Sequence, residues 1–137
     1  MSVLVGLHSL WRWVVLLVVL VALVRGLAGW LRGGAWTGLD RQLTLATVSA
    51  IDIQALLGII IWLGERRWDV NNPFLSVIHP LVMLVALAVA HVGSVRLRRE
   101  SEPVAKYRWL ALSLIVVLIL VTAAIPSYSW GRAWVSR

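Results

Sequence analysis

Hydrophobic residues run almost unbroken through four stretches of the chain, 3–24, 43–63, 73–97 and 105–125, and polar residues collect in the short breaks between them. Each stretch is about 20 residues or slightly longer, and at 1.5 Å of rise per residue an α-helix of that length spans a hydrocarbon core about 30 Å thick. Polar and apolar positions nowhere alternate with a period of two, which argues against a β-barrel. Helices remain, because in lipid each segment has to satisfy its own backbone hydrogen bonds. The breaks carry matching stop signals: Arg25, Gly26, Arg32, Gly33 and Gly34 after the first stretch, Gly64-Glu65-Arg66-Arg67 after the second, Arg96, Arg98 and Arg99 after the third, and Pro126 after the fourth. Asn72 is a good helix cap and Pro73 suits a first helical position, so the third helix is expected to start there. Short connections make successive helices antiparallel neighbours. The pattern therefore predicts an all-α, integral-membrane four-helix bundle, up-down-up-down, with residues 1–137 as a single transmembrane domain.

Composition sharpens this reading. Of 137 residues, 61% are hydrophobic and 14% charged, with a mean hydropathy of +0.88, and a soluble domain of this length needs far more polar surface. The net charge of +7 would suit a nucleic-acid binder, but the basic residues sit in the breaks between apolar runs, as in membrane proteins with positive cytoplasmic loops. Arg25, Arg32, Arg41, Arg96, Arg98, Arg99, Lys106 and Arg108 fall on one side; the fewer Arg12, Arg66, Arg67, Arg132 and Arg137 fall on the other. Both termini are accordingly expected on the non-cytoplasmic side. The nine tryptophans read as interfacial belts, with Trp11, Trp13, Trp62, Trp68, Trp130 and Trp134 on that side and Trp30, Trp36 and Trp109 opposite. There is no cysteine, which removes disulfides, thiolate metal sites, iron–sulfur ligation and covalent c-type haem. The first stretch lacks a basic leader and a small-residue cleavage site, and it is read as a retained span.

Ionisable groups inside spans are costly, so they mark candidate chemistry. His8 and Arg12 are four apart and share one face of the first helix. An imidazole can bind haem iron axially and a guanidinium can pair with a propionate; alternatively Arg12 reaches lipid phosphates and His8 is wet. His79 precedes Pro80, which removes a backbone donor, frees the Ser76 carbonyl and is expected to kink the third helix. Measured from helix starts at Val3 and Pro73, His8 lies roughly 8 Å deep and His79 roughly 9 Å deep, so the two can share one layer. That layer suits bis-histidine ligation of one b-type haem, a hydrogen-bonded pair, or a contact with a quinone or partner subunit. His91 is roughly 18 Å farther along its helix than His79 and cannot join the same haem. Its depth instead matches Asp52, and a buried Asp52–His91 pair would lower the cost of both groups. Gln54, Thr44, Thr47 and Ser49 read as interhelical hydrogen-bonding residues, with Ala46, Ala50 and Gly58 allowing close approach.

No phosphate-binding glycine loop, dinucleotide fingerprint, zinc-protease motif or nucleophile with a base is present, so the chain is not expected to be an enzyme on its own. The segments Leu7-His8-Ser9-Leu10-Trp11-Arg12-Trp13, Leu39-Asp40-Arg41-Gln42-Leu43, Gln54-Ala55-Leu56-Leu57-Gly58, His79-Pro80-Leu81-Val82-Met83 and Ile125-Pro126 together carry a resemblance. The chain resembles small four-helix bacterial membrane proteins labelled cytochrome b-like. What the resemblance implies is a multi-pass protein of the bacterial inner (cytoplasmic) membrane with a heme b or quinone-linked role in electron transport, His8 and His79 standing at the histidine motifs. Where such relatives carry a histidine this chain has Asp52, which takes away a second ligand site. The functional expectation is a membrane subunit of an electron-transfer system holding one b-type haem or a quinone between spans one and three. The competing expectation is a haem-free accessory subunit that docks its tryptophan-rich faces, including the 127–137 tail, on other subunits of a respiratory or photosynthetic complex.

Overall fold

The computed structural model of the chain describes residues 1–126. Four long helices follow one another: α1 (Ser2–Arg32), α2 (Gly38–Gly64), α3 (Phe74–Arg99) and α4 (Pro103–Ala124). All four are long and apolar enough to cross a membrane. They pack α1 against α2 and α4, and α3 against α2 and α4, which leaves α1 and α3 diagonal across the bundle. The α2–α3 contact is the loosest of the four. Val19, Ala22, Ala111 and Val117 are completely buried on the α1–α4 seam, while Leu17, Leu56, Leu81 and Ile119 stand exposed on the outside. Helices apolar on their outer faces as well as their inner ones are what lipid requires.

The first helix runs eight residues past the end of its apolar stretch, and α2 starts five residues earlier than expected. Arg25 and Gly26 do not stop α1, because their neighbours supply what lipid would not. The Arg25 Nε donates to Asp40 Oδ1 at 2.6 Å, and Gly26 brings α1 close against the backbone of Ala111 in α4. The chain turns only at Gly33 (φ 77°) and Gly34 (φ 122°), conformations that a side chain disfavours. Thr37 then caps α2 in a capping box: Thr37 Oγ1 accepts from the Asp40 amide at 3.4 Å, and Asp40 Oδ2 accepts from the Thr37 amide at 2.9 Å. The same Asp40 oxygen accepts from the Tyr107 hydroxyl at 2.6 Å. Asp40 and Tyr107 are both fully enclosed, and the Tyr107 ring lies so tightly on Gly29 that no Cβ fits between them.

At the opposite end, a 3-10 turn (Arg67–Asp69) leads to Asn72, whose Oδ1 accepts from the Leu75 amide at 3.3 Å, the expected cap. The first turn of α3, Phe74–Ile78, is π-helical, and the helix settles into α-geometry at His79-Pro80. The Ser76 carbonyl, which has no amide donor at Pro80, accepts from the Trp62 indole at 3.0 Å. A π-turn of this kind shifts the phase of the side chains that follow it, and here it immediately precedes His79.

Candidate cofactor site at the His8 end

All four helices contribute to the site. His8 and Arg12 lie one turn apart on α1, Gln54 and Gly58 lie one turn apart on α2, His79 opens the α-helical part of α3, and α4 presents the Ala124 carbonyl. The imidazoles of His8 and His79 meet across the bundle diagonal, with ring centroids 6.2 Å apart and planes at 80°. His79 Nδ1 lies 2.7 Å from the Ala124 carbonyl oxygen, so in a neutral ring Nδ1 carries the proton and donates it, and Nε2 keeps its lone pair. The Gln54 amide donates to the His8 carbonyl at 3.0 Å and lies 3.5 Å from His8 Nε2. On the α2 side Gly58 backs the His8 ring, leaving room that a larger residue would take away. Around these groups runs a cavity of about 530 Å³, lined by polar His8, Arg12, Gln54, Ser76 and His79 and by an apolar wall that includes Val15, Met83 and Val121. That volume lies within the roughly 300–1,000 Å³ usual for ligand sites.

No protein family, curated protein or solved structure matches the chain. The resemblance to cytochrome b-like proteins thus rests on the short motifs alone, and what the structure supports is a protein of four membrane-length helices in a bundle.

The residues can be tested against the haem that the resemblance implies. Two axial metal–nitrogen bonds of about 2 Å separate the ligating nitrogens by about 4 Å and their ring centroids by about 6 Å. The observed 6.2 Å meets this requirement, and the 80° angle is compatible because each imidazole turns about its own metal–nitrogen bond. A ligating histidine commonly gives its other ring proton to a backbone carbonyl, the arrangement seen at His79. His8 Nδ1 and Gln54 Oε1 are buried and lack hydrogen-bond partners, a costly state that a ligand would relieve. Among the described residues no three His, Asp or Glu side chains converge as a metal cage, and a haem iron would have the two imidazoles as its donors. The ring spacing, the His79 hydrogen bond and the surrounding cavity are compatible with a haem held by the two imidazoles. His8 would ligate through the nitrogen now beside Gln54 or, after a half-turn of the ring, through the one that has no partner.

Arg12 lines the same cavity, is 8% exposed and has its guanidinium 5.2 Å from the Trp13 ring centroid. That enclosure disfavours the alternative in which it reaches out to lipid phosphates. Asp52 and His91 do meet, with His91 Nε2 2.7 Å from Asp52 Oδ1, but the expectation of a buried pair is corrected: the side chains are 47% and 50% exposed. The loose α2–α3 seam leaves the pair on the outer surface, away from the cavity. Thr44 and Thr47 do not bridge helices; their hydroxyls donate to the carbonyls of Asp40 and Leu43, one turn back in α2. Tryptophans do more than line interfaces, since Trp11 donates to the Ala50 carbonyl at 2.9 Å and ties α1 to α2, and Trp62 serves Ser76. Trp130, Trp134, Arg132, Arg137 and the 127–137 tail lie outside the described residues. Sequence reasoning missed the part played by Ala124, because a backbone carbonyl leaves no mark in a sequence. Gln54, read as an interhelical hydrogen-bonding residue, does bond across helices to the His8 carbonyl, and its four-residue spacing from Gly58 places both on the face that meets His8.

Proposed function

We propose that the chain is a membrane subunit of an electron-transfer system that holds one b-type haem between α1 and α3, where His8 and His79 would bind its iron. The observation that carries this reading is the 6.2 Å approach of two imidazoles across the bundle diagonal, inside a cavity. A haem so held supplies a one-electron carrier within the membrane. The protein's own residues supply the rest. The Ala124 carbonyl fixes the His79 ring and its tautomer, and Arg12 offers a positive charge to a propionate. The apolar wall excludes water, which lowers the local dielectric around any charge that changes there. With the basic loops on the cytoplasmic side of a bacterial inner membrane, the site would lie toward the opposite face.

A second reading, a quinone headgroup in the same cavity, is favoured by one feature: the His8 Nδ1 and Gln54 Oε1 atoms without partners offer a donor and an acceptor to a hydroxyl or carbonyl. A reduced-minus-oxidised absorption spectrum of the protein, purified gently from membranes, separates the readings. The haem reading expects a b-type α-band that is lost in His8→Ala, in His79→Ala and in the cavity-filling Gly58→Leu, with each variant still helical and monodisperse. A colourless protein that releases a quinone into organic solvent, retained by the wild type and lost by Gly58→Leu, would give the site to the quinone. Neither pigment nor quinone, with other membrane subunits co-purifying, would instead support the haem-free accessory role.

A further inference from the structure

The Asp52–His91 pair is unexplained by anything above. Asp52 sits 14 residues from the first residue of α2 and 12 from the last, about 21 Å and 18 Å by helical rise, so it is at mid-span. An aspartate side chain is too short to reach either interface from there. Nevertheless both members of the pair are half exposed on the outer face of α2 and α3, surrounded by exposed Leu45, Leu56, Leu84 and Val95. Hydrocarbon solvates neither a carboxylate nor an imidazole, and the remaining hydrogen-bonding capacity of both would go unmet.

We infer that this face is covered by a second copy of the chain, in a two-fold dimer whose α2–α3 faces meet around Asp52 and His91. The occupant follows from complementarity. A surface that covers this pair has to offer a base opposite the acid and an acid opposite the base, at one particular depth. A copy related by a two-fold axis along the membrane normal has both groups at that depth by symmetry, so Asp52 faces the partner's His91 and His91 faces the partner's Asp52. Ser49, one turn from Asp52 and exposed, is small enough to let the partner's α3 approach α2. The loose intramolecular α2–α3 seam leaves the hydrogen-bonded pair at the outer surface, where its remaining oxygen and ring nitrogen can meet a partner. This interface stands whether or not the cavity holds a haem.

The absence of cysteine makes the test direct. Ser49→Cys chains co-expressed with Val95→Cys chains and oxidised in native membranes are expected to give a covalent dimer holding one of each, since both positions lie about one turn from the pair toward the same end of the bundle, whereas Ile119→Cys on the exposed face of α4 is expected to give none. The double replacement Asp52→Leu with His91→Leu keeps an apolar surface and removes the pair; it is expected to weaken dimerisation about tenfold or more in detergent or nanodiscs. Far-ultraviolet circular dichroism should be unchanged in the double variant, which keeps loss of association distinct from loss of fold. Equal cross-linking of the Ser49→Cys with Val95→Cys mixture and of Ile119→Cys, a cross-link from either variant of the mixture to a different protein in place of the dimer, or a leucine double variant that dimerises as well as the wild type would overturn the proposal.

Discussion

The two ends of the bundle handle buried polar groups in opposite ways. At the Asp40 end, the carboxylate accepts from Arg25, Tyr107 and Thr37, the tyrosine hydroxyl also lies 2.8 Å from the Ala35 carbonyl, and the ring is locked on Gly29. Among the described residues, no buried side-chain polar atom at that end lacks a partner. At the His8 end two imidazoles face each other, a cavity surrounds them, and His8 Nδ1 and Gln54 Oε1 remain buried without partners. Buried polar atoms cost stability when unmet, so a protein that fully satisfies one end and leaves the other incomplete has the character of a clamp at the first and a socket at the second.

Substitutions at the two ends should therefore differ in kind. The largest loss of stability is expected for Asp40→Ala, which removes the carboxylate half of the capping box and takes from Arg25 and the Tyr107 hydroxyl their shared acceptor; these losses together cost about 2–4 kcal/mol. Reversible unfolding in mixed micelles would measure it, and a loss under about 1 kcal/mol would show that Asp40 is not the clamp. Next comes Gly29→Ala, where the added methyl has to displace the Tyr107 ring, at about 1–3 kcal/mol. At the other end Trp62→Phe leaves the Ser76 carbonyl unmet and should cost about 1–2 kcal/mol in the same assay, while loosening the turn that leads into His79. The smallest effect is expected for Gln54→Leu. It removes a buried amide whose carbonyl is already unsatisfied, so the apoprotein should lie within about 0.5 kcal/mol of wild type or be slightly more stable. A Gln54→Leu loss as large as that of Asp40→Ala would erase the contrast between the ends.

How much of this was legible in the sequence depended on the range of each interaction. The four spans, the Asn72 cap and the carbonyl freed by Pro80 follow from local chemistry, and each is present. Depth is also local, since helical rise converts residue number into height, which is why His8 could be matched with His79 and Asp52 with His91. Rotation about the helix axis was the harder quantity. The π-turn before His79 adds to its phase, and the outward placement of Asp52 and His91 depends on how loosely α2 and α3 pack. The length of α1 was misread at Arg25 because the charge that permits helix there belongs to Asp40, and the ring that needs Gly29 belongs to Tyr107, 78 positions further on. Thr37 and Asp40 had the spacing of a capping box and could have placed the start of α2 correctly.

The contrast between clamp and socket is tested most directly by thermal unfolding of the purified apoprotein with and without added haem, for the wild type and for a His8→Ala, His79→Ala double variant. A ligand that binds only the folded state raises the midpoint by mass action. The expected result is a clear upward shift for the wild type, none for the double variant, and similar midpoints for the two proteins without haem. A wild-type midpoint indifferent to haem, or a double variant already unfolded without it, would contradict the account.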